Sequence, residues 1–255
     1  MSRDIPPEFL ITNFNDRIAA IVESTYPNLL QHYKDEDFLQ CRAILASTIE
    51  VAGSINDFML GLIPGDEREY LSADLIDRSE ANGNEAFDVI PSEFLNSLTT
   101  SGLPNFKIKL KVGTPITLLK DLNPSEGLCI GTRLIVTRLA NFVLQAKIIS
   151  GKNIGNLTLI PRISMSPLQS PWPFKLIRRQ FPIVVSYAMT INESQGQSFD
   201  YVGIYLPNPG FSHEQLYEAV SRVKSRHGLK ILINDKDKQT LETTSNVVYK
   251  VFQNI

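Results

Sequence analysis

Two short segments near the C-terminus carry residue types and spacings suited to holding phosphate. They are Ala188-Met189-Thr190-Ile191-Asn192-Glu193-Ser194-Gln195-Gly196-Gln197 and Gln215-Leu216-Tyr217-Glu218-Ala219-Val220-Ser221-Arg222. Thr190 and Glu193 stand at the spacing of a capping box, so the first segment reads as the start of a helix. The first N–H groups of a helix lack internal partners and sit at the positive end of its dipole, which suits a phosphate of a nucleotide or of a nucleic-acid backbone. Ser194, Gln195 and Gly196 fall within that first turn. Taken alone, Ser-Gln-Gly reads equally well as a plain turn, and Ser-Arg near a helix end as a surface cap or ion pair.

The elements that must position these segments follow from hydrophobic period and punctuation. Phe181 to Ala188 is an apolar, β-branched run of strand length, and Tyr201 to Leu206 is a second strand. Ser212-x-x-Gln215 is another capping box, opening an amphipathic helix to about Val223 before the strand Leu229 to Ile233. Strand, helix, strand, helix, strand implies a parallel sheet with right-handed crossovers. Upstream, a helical pattern from Asn15 to about Tyr33 breaks at Pro27, Arg42 to Ser47 reads as a buried strand, and Thr48 to Ile63 as the next helix, ended by Pro64-Gly65. Tyr70 to Ile76 reads as a strand, Asp77 to Asp88 as a polar loop, and Pro91 opens a short helix ending near Gly102.

Between Phe106 and about Lys175 the grammar changes to short β runs at 108–112, 116–119, 134–139, 142–149 and 157–163. A small antiparallel barrel inserted into an α/β domain is the economical reading. The expected division is 1–103 as the first part of the α/β domain, 104–174 as the barrel, and 175–255 as the remainder.

The run Arg178-Arg179-Gln180-Phe181-Pro182 through AMTINESQGQ, then Phe211-Ser212-His213 and QLYEAVSR, resembles the last motifs of the Pif (petite integration frequency) family of ATP-dependent 5′-to-3′ DNA helicases. The branch that includes the Helitron transposon helicases is the nearest. Arg42-Ala43-Ile44-Leu45 with Ile55-Asn56, Tyr70-Leu71-Ser72-Ala73-Asp74, and Leu110 to Pro115 through Gly131-Thr132-Arg133-Leu134 fit the same order. The resemblance implies a second RecA-like domain carrying an inserted Src-homology-like barrel. It implies that Arg222 is the arginine finger that reaches the γ-phosphate, a task suited to a planar, permanently charged guanidinium. It places Thr190, Ser194 and Gln195 at single-strand DNA contacts and Gly196 where backbone approaches a phosphate closely, with Gln215 on the nucleotide side. DNA repair and recombination are the processes it suggests. The chain departs from the family pattern at Glu193, where lysine is usual, at Ile130, where asparagine is usual, and at Glu214 and Glu218, where small or apolar residues are usual. Acids at those places oppose phosphate.

Composition sets the remaining bounds. The 255 residues are 43% apolar and 20% charged, ordinary material for one or two packed domains. The net charge of −2 hides an asymmetry: up to Leu103 there are 6 basic and 18 acidic residues (6 − 18 = −12), and from Pro104 onward 19 basic and 9 acidic (19 − 9 = +10). The basic half is the expected nucleic-acid side, with Lys175, Arg178 and Arg179 clustered just ahead of the first segment as DNA-binding candidates. Cys41 and Cys129 are too few for a disulfide framework or zinc site, and His32, His213 and His227 show no ligand spacing, so no metal site is expected. No apolar run approaches the roughly 20 residues that span a bilayer, and no secretory signal opens the chain. The expected location is intracellular, in the nucleus.

Gly151-Lys152, the only Gly-Lys pair, lacks the upstream glycine of a phosphate-binding loop and is followed by Asn153. No strand ends in an acidic pair suited to hold Mg²⁺. The chain therefore reads as the C-terminal half of a helicase, inactive alone and binding ATP and Mg²⁺ only when a first RecA-like domain completes the cleft. Its expected partners are single-stranded DNA and that domain, with no membrane. The alternative is a stand-alone nucleic-acid-binding module or an inactive transposon-derived remnant.

Overall fold

The computed structural model describes residues 2–77, 90–167, 169–207, 215–233 and 243–245. The chain divides into two compact units: Met1–Pro64 together with Ser186–Ile255, and Gly65–Val185 inserted between them.

The first unit is built on a four-stranded sheet, in the order Ala188–Thr190, Arg42–Ala46, Tyr201–Leu206, Leu229–Ile233, with every neighbouring pair parallel. Such strands are covered on both faces, which is why Ala43 to Ala46 are all fully buried. Ala43, Leu45, Val202, Ile204 and Ile231 face Ala219 of the helix Gln215–Val220. The helices Arg17–Thr25 and Ile49–Leu62 pack on the sheet and on each other. A Cβ at Gly203 would lie 2.2 Å from Thr25 Oγ1 and 3.0 Å from Ile21 Cδ1, so only glycine lets Arg17–Thr25 sit this close. Both helices are capped as their sequences dictate: Asp16 Oδ1 accepts from Ala19 N–H at 2.7 Å, and Thr48 Oγ1 from Val51 N–H at 3.3 Å.

From Arg42–Ala46 the chain winds one way, through Ile49–Leu62, to the Ala188–Thr190 edge. It then winds back across to Tyr201–Leu206 and Leu229–Ile233. Opposite directions of winding require crossovers on opposite faces if each is right-handed.

The inserted unit is antiparallel. Its main sheet runs Ile183–Val185, Pro115–Leu118, Arg133–Leu139, Val143–Ile148, Leu157–Pro161, an open order with the first and last as edges. Leu110, Ile116, Leu134, Val136, Leu144 and Phe181 fill its core. A second sheet joins Ile163–Met165, Leu176–Gln180 and Ala73–Ile76, and a ribbon pairs Arg68–Leu71 with Lys107–Leu110.

Two expectations need correction. The inserted unit is wider than 104–174, because strands on both flanks, from Arg68–Leu71 to Ile183–Val185, pair within it. The run Phe181 to Ala188 is not one strand: Ile183–Val185 belongs to the inserted sheet and Ala188–Thr190 to the parallel one. Most of the Asp77 to Asp88 loop, and the capping box at Ser212, lie outside the described residues.

Candidate nucleotide and nucleic-acid interface

Thr190 ends its strand level with Ala46 and Tyr205, at the carboxyl end of the parallel sheet. The capping box closes as the sequence predicts. Thr190 N–H donates to Glu193 Oε2 at 2.8 Å, and Glu193 N–H donates to Thr190 Oγ1 at 3.2 Å. What it caps is a single turn, not the expected helix. Gln195 N–H reaches Asn192 O and Gln197 N–H reaches Ser194 O, both three residues back, and Gly196 then adopts φ 76°. The reason lies on either side of the turn: Ile191 and Phe199 are both buried in the core, and residues 197–200 must return the chain to the start of Tyr201–Leu206. Ser194 is fully buried and donates its hydroxyl to Ile191 O at 2.6 Å, so it closes the turn and does not face a ligand. Gln195 and Gly196 are exposed.

Arg222 follows the helix Gln215–Val220 and lies beside the amino end of Tyr201–Leu206, where Phe199 N–H donates to Arg222 O at 2.8 Å. Its guanidinium connects the two segments. Nη1 donates to Gln197 O at 3.3 Å, Nε to Glu218 O at 3.2 Å and Nη2 to Ser221 Oγ at 2.8 Å, and Nη2 forms an ion pair with Glu218 Oε1 at 2.8 Å. Gln215 and Glu218 stand three apart, on one face of that helix.

The predicted basic cluster separates on inspection. Arg178 has no exposed surface: Nε and Nη2 grip the Asp74 carboxylate, and Nη1 and Nη2 donate to the carbonyls of Leu98, Pro104 and Leu95. It is a structural pin of the inserted unit and cannot meet DNA phosphate, because every N–H is spent on the protein and no solvent reaches it. Lys175 pairs with Asp77 at 3.0 Å and is half-exposed, while Arg179 is exposed. Elsewhere in the basic half, Lys107 and Lys109 face Glu69 and Glu67 across the ribbon, and Arg133 is buried. The charge asymmetry of the sequence is therefore partly spent inside the fold.

Residues 93–139 match the family model described as DNA helicase Pif1, 2B domain, a stretch wholly inside the inserted unit. The ATP-dependent DNA helicase PIF1 of Xenopus laevis is 29% identical over 159 residues, 60% of this chain and 24% of that protein. The human protein of the same name is 30% identical over 151 residues, 58% of this chain and 22% of its own. Over these stretches the chain is similar to Pif1 helicases. The crystal structure of Bacteroides Pif1 in complex with ADP-AlF3 and ssDNA superposes with a TM-score of 0.53 at 22% identity, over 89% of this chain and 49% of that one. At that identity the likeness is one of fold. The chain spans about a quarter of the length of these curated relatives.

Two features went unassigned in the sequence although their residues stand plainly in it. Asn56, buried in the helix Ile49–Leu62, binds the backbone of Ala188 at the head of the first segment. A polar residue on an otherwise apolar helix face was the available signal. Arg42 stacks between the Phe38 and Tyr201 rings, 4.1 and 4.2 Å from their centroids, and donates to Cys41 Sγ. Burial pushes the Cys41 thiol up from its ordinary value, with the neighbouring Arg42 charge pulling the other way, so this cysteine is not primed as a nucleophile.

Proposed function

We propose that this chain supplies the second RecA-like half of an ATP-dependent DNA helicase, with Arg222 as the arginine finger and Thr190, Gln195 and Gly196 along part of the single-strand channel. The inserted antiparallel unit takes the place of the family's Src-homology-like barrel. The carrying observation is that Arg222 Nη1 donates to Gln197 O at 3.3 Å, which ties the finger segment to the last residue of the phosphate-suited segment. ATP and Mg²⁺ fit this chain unequally. The Arg222 guanidinium suits a γ-phosphate, and the family resemblance assigns the Mg²⁺ ligands to a first RecA-like domain.

Within that reading, Arg222 neutralises charge developing on the transferring phosphoryl group, and the exposed backbone at Gln195-Gly196 positions the strand. Lys175 and Arg179 supply electrostatic grip. The test is binding of a fluorescent single-stranded oligonucleotide by anisotropy across a salt series. Neutralising two phosphates gives a log–log salt slope of roughly −1.4, from about 0.7 per contact on single strands. Lys175→Ala with Arg179→Ala flattens it. Absence of binding at low salt, or an unchanged slope in the double variant, removes the DNA path from these residues.

A further inference from the structure

We propose that Glu218 is a positioning residue that holds the Arg222 guanidinium in a withdrawn, phosphate-refusing arrangement until a nucleotide phosphate displaces it. The inference rests on the reading of Arg222 as the finger and adds to it a restraint built from this chain's own side chains. A guanidinium has five N–H donors in a planar fork. Three are committed here: Nε–H to Glu218 O, one Nη1–H to Gln197 O and one Nη2–H to Ser221 Oγ, while the Glu218 carboxylate stands 2.8 Å from Nη2 as an ion pair. Two donors remain, one on Nη1 and one on Nη2, and the one on Nη2 lies beside the Glu218 carboxylate. A phosphate that takes both by two N–H bonds must displace the Glu218 carboxylate from Nη2 first.

The restraint is arranged around Glu218. Its carbonyl accepts from Arg222 Nε, its carboxylate forms an ion pair with Nη2, and its carbonyl also accepts from the Ser221 hydroxyl that in turn accepts from Nη2. Glu218 therefore acts twice on the guanidinium and once through Ser221. The Glu218 and Arg222 side chains keep 29% and 16% exposure, so the ion pair is neither locked in the core nor fully screened. A partly solvated ion pair of this i,i+4 type is weak enough for a multiply charged phosphate to displace.

The experiment is a double-mutant cycle on the whole chain, with inorganic tripolyphosphate as the probe and binding followed by NMR titration. Glu218→Gln keeps the shape of the side chain and removes its charge, and should tighten tripolyphosphate binding roughly three- to fivefold. Arg222→Ala should weaken it. In the Arg222→Ala background, Glu218→Gln should have no effect, because Glu218 acts through the guanidinium. An equal gain in both backgrounds means that Glu218 merely repels anions, and overturns the restraint while leaving Arg222 as a phosphate ligand. Unchanged binding on Arg222→Ala overturns the finger itself, and the restraint with it.

Discussion

Asn56 holds both backbone polar groups of Ala188, donating from Nδ2 to Ala188 O and accepting at Oδ1 from Ala188 N–H, each at 2.8 Å. Ala188 lies on an edge strand, and the ladder toward Arg42–Ala46 runs through its neighbours, Ile44 N–H to Tyr187 O and Ile191 N–H to Ala46 O. The Ala188 groups therefore point away from the sheet, where Asn56 stands in for the absent next strand. The first segment begins from a strand fixed in this way.

Asn56→Ala should cost about 2–3 kcal/mol, because it strands two buried backbone groups and removes a close-packed side chain. Urea unfolding of both proteins measures it. A loss below about 0.5 kcal/mol would mean that the edge is held by other contacts.

The buried Arg178–Asp74 pair makes a different demand on the inserted unit. Arg178→Ala leaves the Asp74 carboxylate at 1% exposure without its partner, and should destabilise by about 3–5 kcal/mol. Arg178→Ala should not change the salt slope of DNA binding if the fold survives, in contrast to Arg179→Ala. A melt unchanged from wild type, or a flattened slope in a folded Arg178→Ala protein, would return Arg178 to the surface.

Much of this architecture was legible in the sequence. The continuous apolar runs Ala43 to Ala46 and Val202 to Leu206 mark buried parallel strands, and the turn-punctuated β runs after Phe106 mark the antiparallel insertion. The limits of the insertion were not legible. Its flanking strands, such as Ala73–Ile76 and Leu176–Gln180, pair over about a hundred residues of sequence, and local pattern is silent on such pairing. The same blindness hid Arg178, whose type and neighbours fit a solvated basic face and whose partner carboxylate comes from Asp74. At Thr190 the local signal was right and its extent was not: the reciprocal box forms, but Gly196 and the buried Phe199 stop the helix after one turn.

Glu193→Lys tests where the strand runs. The substitution removes the bond from Thr190 N–H to Glu193 Oε2, and should cost about 0.5–1 kcal/mol in a denaturant melt. It also exchanges an anion for a cation beside the exposed Gln195-Gly196 backbone, and should tighten single-strand binding. A variant that loses stability as expected but binds no better would show that this turn faces away from nucleic acid.

The central claim is that Arg222 completes an ATP site whose phosphate loop lies in another domain. The direct measurement is DNA-stimulated ATP turnover by this chain joined behind a Pif1-family first RecA-like domain, compared with the same fusion carrying Arg222→Ala and with the chain alone. The account predicts turnover by the fusion, a loss of about 10³-fold or more on Arg222→Ala, and none by the chain alone, whose sequence has no Gly-x-x-x-x-Gly-Lys loop. Turnover by the chain alone, or an Arg222→Ala fusion within about tenfold of its parent, would contradict it.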